Sequence, residues 1–333
     1  MTTTTTEPAD PPRRRWWRRP RWWLLAAVLL LVAWPVAATL VALQSTSSAL
    51  AAARDRLPDD VDRRAVARDR SGDALTVLVI GVDRSSSGDG IQLVRAQGTS
   101  GLRTLSIPRD LLLDAYDGGE RPATLQHQQG PAAVVRAIGR TTGIHIHRVV
   151  VIRLTAMRTA IDAVGPVSVE NPARLETREI QGRTWTFPKG RIELDGAHAE
   201  AFMRARHNEA SPDESDEDRS RRQQLVLTAM LGSLSPLDVL LHPHSLPHDL
   251  LGSVGTDLTR SELVQLARAA RHGVTARCRL TGQLQAVHVG DPNLPWPARR
   301  DGLYLVPDPD ELADVVAGFE GDGAACAAAS REA

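Results

Sequence analysis

Two aspartates, Asp83 and Asp89, bracket a loop rich in serine and glycine directly after the apolar run ALTVLVIGV. Carboxylates at the C-terminal edge of a buried strand can hold a hard cation such as Mg²⁺, which keeps several waters and binds phosphate oxygens as readily as protein oxygens. Taken alone, such a loop is also ordinary turn chemistry. A second piece, SIPRD (106–110), places Arg109 just beyond another strand end, facing the same edge. A third, FMRARH followed by DRSRRQQ, supplies Arg204, Arg206, Arg219, Arg222 and Gln223. On a helix, positions 219, 222 and 223 share one face. Guanidinium groups match phosphate oxygens two at a time, so arginines at this density opposite paired carboxylates fit a diphosphate.

The elements that must position these residues are those of an α/β layered domain with a central mixed β-sheet flanked by helices. The pattern gives strands at 74–82, 91–96, 102–107 and 148–154. Helices are expected over 131–142, 155–164, 195–206, 220–231, 236–251 and 261–271. The acidic stretch between the two arginine motifs reads as a mobile flap or a solvated loop. A small α+β C-terminal extension follows, with a hairpin turning at Gly282, a strand in LYLVP and a helix from Pro309. Cys278 and Cys326 lie one at each end of that extension. In an oxidising compartment they favour a disulfide; the alternative is two unpaired thiols.

Residues 22–43 carry no charge over 22 positions. As a helix they reach about 33 Å, enough to cross a hydrocarbon core of about 30 Å. Six arginines precede this stretch and only Arg54 and Arg56 follow it closely. The expected organisation is therefore a cytoplasmic basic tail (1–21), a transmembrane helix (22–43), a stalk (44–73), an extracytoplasmic domain (74–272) and the extension (273–333). A cleaved signal peptide is the alternative for the apolar stretch. The tail's surplus of basic charge leaves the rest of this neutral chain acidic on balance, which argues against a nucleic-acid partner. The alanine- and arginine-rich composition, with Lys189 as its one lysine, points to a G+C-rich bacterial genome such as an actinobacterium's.

No glycine fingerprint for nucleotide binding and no G-x-S-x-G nucleophile elbow is present. His242, His244 and His248 have the residue type for zinc but sit in a proline-broken loop without a carboxylate partner pattern.

GVDR, SGD, LSIPRD, TGIHIHRVVVIRLTAMRTAIDAVGPVSV, KGRIELDGAHAEAFMRARH and DRSRRQQ, in this order and spacing, resemble the LytR-CpsA-Psr family over 74–232 and the helices to 272. The resemblance implies a membrane-anchored enzyme that moves an anionic glycopolymer from a polyprenyl-diphosphate carrier onto peptidoglycan, with an apolar pocket for the polyprenyl tail. It implies Mg²⁺ ligation by Asp83 and Asp89, one of them also taking a proton. It implies diphosphate contacts from Arg84, Arg109, Arg204, Arg206, Arg219 and Gln223. The sequence departs from the family pattern at Ser87 (usually arginine), at Gly90 (usually threonine) and at Arg121-Pro122-Ala123 (usually Lys-x-Asn). Those departures give the alternative: a member that binds lipid-linked glycopolymer without transferring it, as an envelope scaffold or regulator.

Overall fold

A computed structural model of the 333-residue chain describes residues 22–58, 74–82, 88–98, 100–113, 119–180, 182–205, 208–211, 216–233, 242–252, 254–289, 300–321, 323 and 326. Its centre is one six-stranded mixed sheet in the order β10-β3-β2-β1-β4-β9. The strands are β1 (Ala74–Val82), β2 (Gly88–Gln97), β3 (Leu102–Ile107), β4 (Arg148–Arg153), β9 (Val254–Thr256) and β10 (Val274–Arg279). β1 pairs antiparallel with β2 and parallel with β4.

Strict alternation along β1 sends its side chains into two separate cores. Leu75 and Val77 face a layer built from α4 (Leu154–Val164), α5 (Gly196–Arg204), α6 (Asp216–Ser233) and α8 (Arg260–Arg271). Leu78, Ile80 and Val82 face α3 (Pro131–Thr142) and α9 (Pro309–Glu320). This is why the strand reads as a continuous apolar run: both of its faces are covered. Smaller ribbons pair β5 (Val167–Asn171) with β8 (Gly190–Leu194), β6 (Leu175–Glu176) with β7 (Thr186–Phe187), and β11 (Gln283–Val289) with β12 (Arg300–Val306).

Helix ends follow local chemistry. Asp195 caps α5 by accepting from the His198 amide. Thr259 and Glu262 form a reciprocal capping box on α8. The acidic run before α6 is neither flap nor loop throughout, because Asp216–Asp218 forms the first turn of that helix. Negative charge there complements the helix dipole. The remainder of the run, 212–215, lies outside the described residues. In the expected 236–251 helix, 234–241 also lie outside, and α7 starts only at Ser245 and runs to Leu251.

Three expectations need correction. The stalk does not stand apart from the domain. α1 (Trp22–Arg54) continues unbroken past residue 43, and Ala49 and Leu50 join the first core. Ser45 Oγ donates to the Pro243 carbonyl, and Arg56 Nη1 donates to Leu251 O (3.1 Å) and Val254 O (3.3 Å). The small apolar residues in QSTSSALAAAR, read as a spacer, form a packing face instead. Residues 59–73 lie outside the described residues.

The boundary at 272/273 also fails, because β10 is the edge strand of the main sheet, parallel to β3. For the same reason there is no hairpin about Gly282: β10 takes β3 as its partner, and β11 takes β12. Adjacent runs suggested local pairing, but burial of Cys278 and Leu280 in the second core decided otherwise.

Among the described residues no helix is long and apolar enough to cross a membrane. The 22–43 stretch is helical in its backbone as the first part of α1, and the side chains of 22–36 lie outside that description.

Candidate functional site

The motif segments, far apart in sequence, meet at one cavity. Gly81 from β1, Gly90 from β2, Ser106 from the SIPRD strand, Met203 from α5 and Gln223 from α6 all line one narrow pocket that is partly open to solvent. Strand register explains the convergence. Ser106 lies opposite Gln92, and Gln92 opposite Val79, so the three form a rung across the sheet. Two rungs along, on the same face of the sheet, Gly81 lies opposite Gly90. Two glycines side by side leave the sheet bare, and α6 settles over the gap. A Cβ at position 90 would collide with the Gln223 amide oxygen. The departure at Gly90 is therefore compensated in space: Gln223 occupies room that a larger residue would need.

Most of the lining is apolar, with Val79, Ile91, Ile152, Met157 and Leu227. Gln92 and Gln223 are set among these residues, both buried, each with an amide oxygen that accepts no hydrogen bond from the described residues. An otherwise greasy pocket with a few buried polar groups is the usual form of a site for an amphipathic ligand.

The backbone next to Gly81 and Gly90 is irregular. β1 ends at Val82, which pairs with Gly88, while Gly81 pairs with Gly90. Asp89 is thus the extra residue of a β-bulge, and Asp83 follows the last residue of β1. Bulges of this kind re-aim side chains next to active sites. Asp83, Arg84, Ser87 and Arg206 lie outside the described residues, and Asp89 is described in its backbone only. Among the described residues no group of three His, Cys, Asp or Glu side chains is placed to hold a metal ion, the 242/244/248 histidines included.

The described arginines divide. Arg109 is part-exposed at the end of β3, its Nε 3.4 Å from Asp110 Oδ2. Arg204 donates to Glu200 Oε1 at 2.9 Å. Arg219, Arg222 and Gln223 do share one face of α6, but that face is turned inward. Arg222 donates from Nε to Phe202 O (3.1 Å) and from Nη2 to Ala205 O (2.7 Å). It satisfies the carbonyls at the end of α5, which the helix itself leaves open. Burial lowers the Arg222 pKa to about 10, still charged at neutral pH. Its guanidinium is engaged by the backbone of α5.

Several lining residues were not singled out from sequence. Gln92 and Gln224 line the pocket, and the signal for Gln92 was a buried glutamine within the otherwise apolar IQLV strand. Cys278 and Cys326 form a disulfide, with Cα atoms 4.6 Å apart, that ties β10 to the chain beyond α9.

Comparison with known proteins agrees with this architecture. The chain is 29% identical over 219 residues to the polyisoprenyl-teichoic acid–peptidoglycan teichoic acid transferase TagU of Oceanobacillus iheyensis, a match covering 61% of this chain and 66% of that protein. It spans just under two thirds of the length of the first curated relatives it matches. The crystal structure of Bacillus subtilis TagV superposes with a TM-score of 0.60 at 19% identity, covering 75% of this chain and 97% of that one. TagT bound to LI-WTA superposes at 0.56 with 20% identity, covering 80% and 96%. At those identities the structures speak for the fold. The sequence pattern of the LytR_cpsA_psr family matches residues 39–283, and this chain belongs to that family.

Proposed function

We propose that the protein is a membrane-anchored, extracytoplasmic transferase that moves an anionic glycopolymer from a polyprenyl-diphosphate carrier to peptidoglycan. One observation carries the reading. Five motif segments converge on a single pocket lined mostly by apolar side chains, with two buried glutamines among them and the bulge at Asp89 next to its lining residue Gly90. The apolar lining suits a polyprenyl chain, and the motif aspartates and arginines suit a diphosphate. The TagU relative, a teichoic acid transferase, and TagT bound to LI-WTA support a polymer of the teichoic-acid kind.

In this reading Arg109 and Arg204, with Arg84 and Arg206, bind the diphosphate oxygens, while Arg219 and Gln223 shape the wall of α6 behind them. The hydroxyl oxygen of a peptidoglycan sugar attacks the phosphorus that bears the glycopolymer. The P–O bond to the carrier breaks, polyprenyl monophosphate leaves, and the hydroxyl proton passes to Asp83 or Asp89. Charge building on the leaving phosphate is met by guanidinium groups already in place, the largest contribution such sites ordinarily make. Two hard carboxylates fit Mg²⁺, and that ion would supply further charge neutralisation at the diphosphate. Residues 22–43 anchor the chain, with the basic tail inside.

A second reading keeps the binding and drops the transfer, favoured by Ser87 and by Gln223 filling the space over Gly90. One experiment separates them. Full-length protein in detergent is mixed with a short-chain lipid-linked glycopolymer, peptidoglycan and Mg²⁺, and covalent product and donor binding are measured together. Mg²⁺-dependent product formation, lost in Asp83→Ala and Asp89→Ala, is the expected result. Donor binding without product establishes the scaffold reading, and absence of both overturns the site.

A further inference from the structure

The β11–β12 ribbon begins at Gln283, where the match to the family pattern ends. It nevertheless grips the segment that carries Arg109. Leu112 N donates to Leu305 O (2.8 Å), and Leu305 N donates to Asp110 O (3.2 Å). The next contact is made by side chains. The Arg121 guanidinium stands 4.6 Å from the centre of the Tyr304 ring, and its Nη2 donates to Leu303 O at 2.6 Å. Its Nε lies 3.6 Å from Asp110 Oδ1, while the other oxygen of Asp110 faces Arg109. Tyr304 is buried with Leu112 in a small cluster of its own, so the ring has little freedom to leave.

Resting on the diphosphate reading above, we propose that this ribbon is a positioning element of the site: Tyr304 holds Arg121 on Asp110, and Asp110 holds Arg109 ready for an anionic ligand. Two physical effects support the role. An arginine side chain loses much rotamer freedom on binding, and ordering it beforehand removes that cost from the binding step. Asp110 by itself would cancel the charge of Arg109. With Arg121 on its second oxygen, the trio keeps a net positive charge. Arg121 stands where the family pattern usually has lysine, and a planar guanidinium can stack on an aromatic ring while donating in its own plane. Ribbon and substitution thus belong together. The backbone bonds to Leu305 and the Leu112–Tyr304 contact would dock the ribbon without any of this, so a merely structural role predicts a different outcome.

The test uses full-length protein in detergent and geranylgeranyl diphosphate as the probe, with dissociation constants and thermal midpoints measured together. Tyr304→Ala is expected to weaken binding roughly two- to five-fold. Tyr304→Phe, which keeps the ring face, is expected to restore it. Arg121→Gln is expected to weaken binding about ten-fold, with partial recovery in Arg121→Lys. The effect of Tyr304→Ala disappears in an Arg109→Ala background, because the ring acts through that side chain. A purely structural ribbon would lower the thermal midpoint in Tyr304→Ala and leave the two substitutions additive in binding, which overturns the proposal. Wild-type affinity in both Tyr304→Ala and Arg121→Gln, with Arg109→Ala weakened, overturns the positioning role and leaves the diphosphate site standing. Wild-type affinity in Arg109→Ala overturns both.

Discussion

Arg109 and the arginines of α6 began as one class of residue and ended as two, with Arg121, read only as a departure from the family pattern, joining Arg109. On α6, Arg219 and Arg222 are almost wholly buried, and Arg222 is spent on two backbone carbonyls of α5. Around Asp110, Arg109 and Arg121 keep about a third of their side chains exposed and share one carboxylate. The first group lies in the interior beside Gln223, which lines the pocket; the second stays in contact with solvent just past the strand that carries Ser106, another lining residue. Charge density in a sequence therefore locates a site without saying which charges meet the ligand. Burial decides that, because a guanidinium that has lost its water must be satisfied by something already present.

The strongest way to sharpen this contrast is to loosen the corner behind Asp110. The Cys278–Cys326 disulfide closes a loop of 48 residues that contains the ribbon and α9. Replacing both cysteines by alanine is expected to cost about 4 kcal/mol in the chain-entropy account. Chemical denaturation of oxidised wild type against the double variant measures it, and a difference below 1 kcal/mol would show that the tether is idle.

The buried side of the comparison is tested by Arg222→Ala. It leaves two interior carbonyls without donors and is expected to cost about 3 kcal/mol of stability. Arg222→Lys should recover only part, since an ammonium cannot reproduce the fork. An Arg222→Ala protein as stable as wild type, yet unable to bind a polyprenyl diphosphate, would return Arg222 to the ligand-binding group. On the open side, Arg109→Ala reverses the pattern. Its exposed ion pair contributes about 0–1 kcal/mol to folding, whereas under the proposed function loss of one charge-assisted contact is expected to weaken diphosphate binding roughly 10–150-fold. Arg153→Ala, on the exposed end of β4, is the control and leaves both quantities unchanged.

The smallest expected effect belongs to a pair of intermediate character. Arg148 Nε lies 2.9 Å from the buried Glu262 carboxylate, which also caps α8. Burial pushes the Glu262 pKa up, but bonds from Thr259 and Arg148 outweigh it and hold the carboxyl below its ordinary 4.5. The folded state therefore binds this proton less readily than the unfolded one. Its contribution to stability is fully present above about pH 4.5 and is lost as pH falls through the lower folded value. Asp257, raised by burial, runs the other way, losing its contribution as pH rises through its own value. Comparing Glu262→Gln with wild type across acid pH isolates the first group. The gap between the two proteins is expected to narrow as pH falls, and a gap that widens contradicts the assignment.

How much of this was legible beforehand depended on the range of the forces involved. Alternation and runs gave β1, β3 and β4 and most helices closely, because burial on one or both faces writes its period directly into the chain. β10 was legible as extended but not as an edge of the main sheet. Its true partner, β3, lies some 170 residues earlier, and no local pattern records such a distance. The small residues of α1 carried the same ambiguity. Ala49 and Leu50 suit a spacer and a helix interface equally until the surface opposite them is known.

The candidate site divides along the same line. Sequence by itself determined the parts that need only residue type and order: paired aspartates after a buried strand, an arginine past a strand end, a glycine at position 90, two cysteines fit to pair, and membership in a family of one architecture. Tertiary structure alone decided that Gly81 and Gly90 lie side by side, that Gln223 fills the gap above them, that Arg222 is turned inward, and that Tyr304 reaches Arg121. The physical reason is common to all four. Each depends on which two surfaces exclude water from one another, and that is settled only when the whole chain has packed.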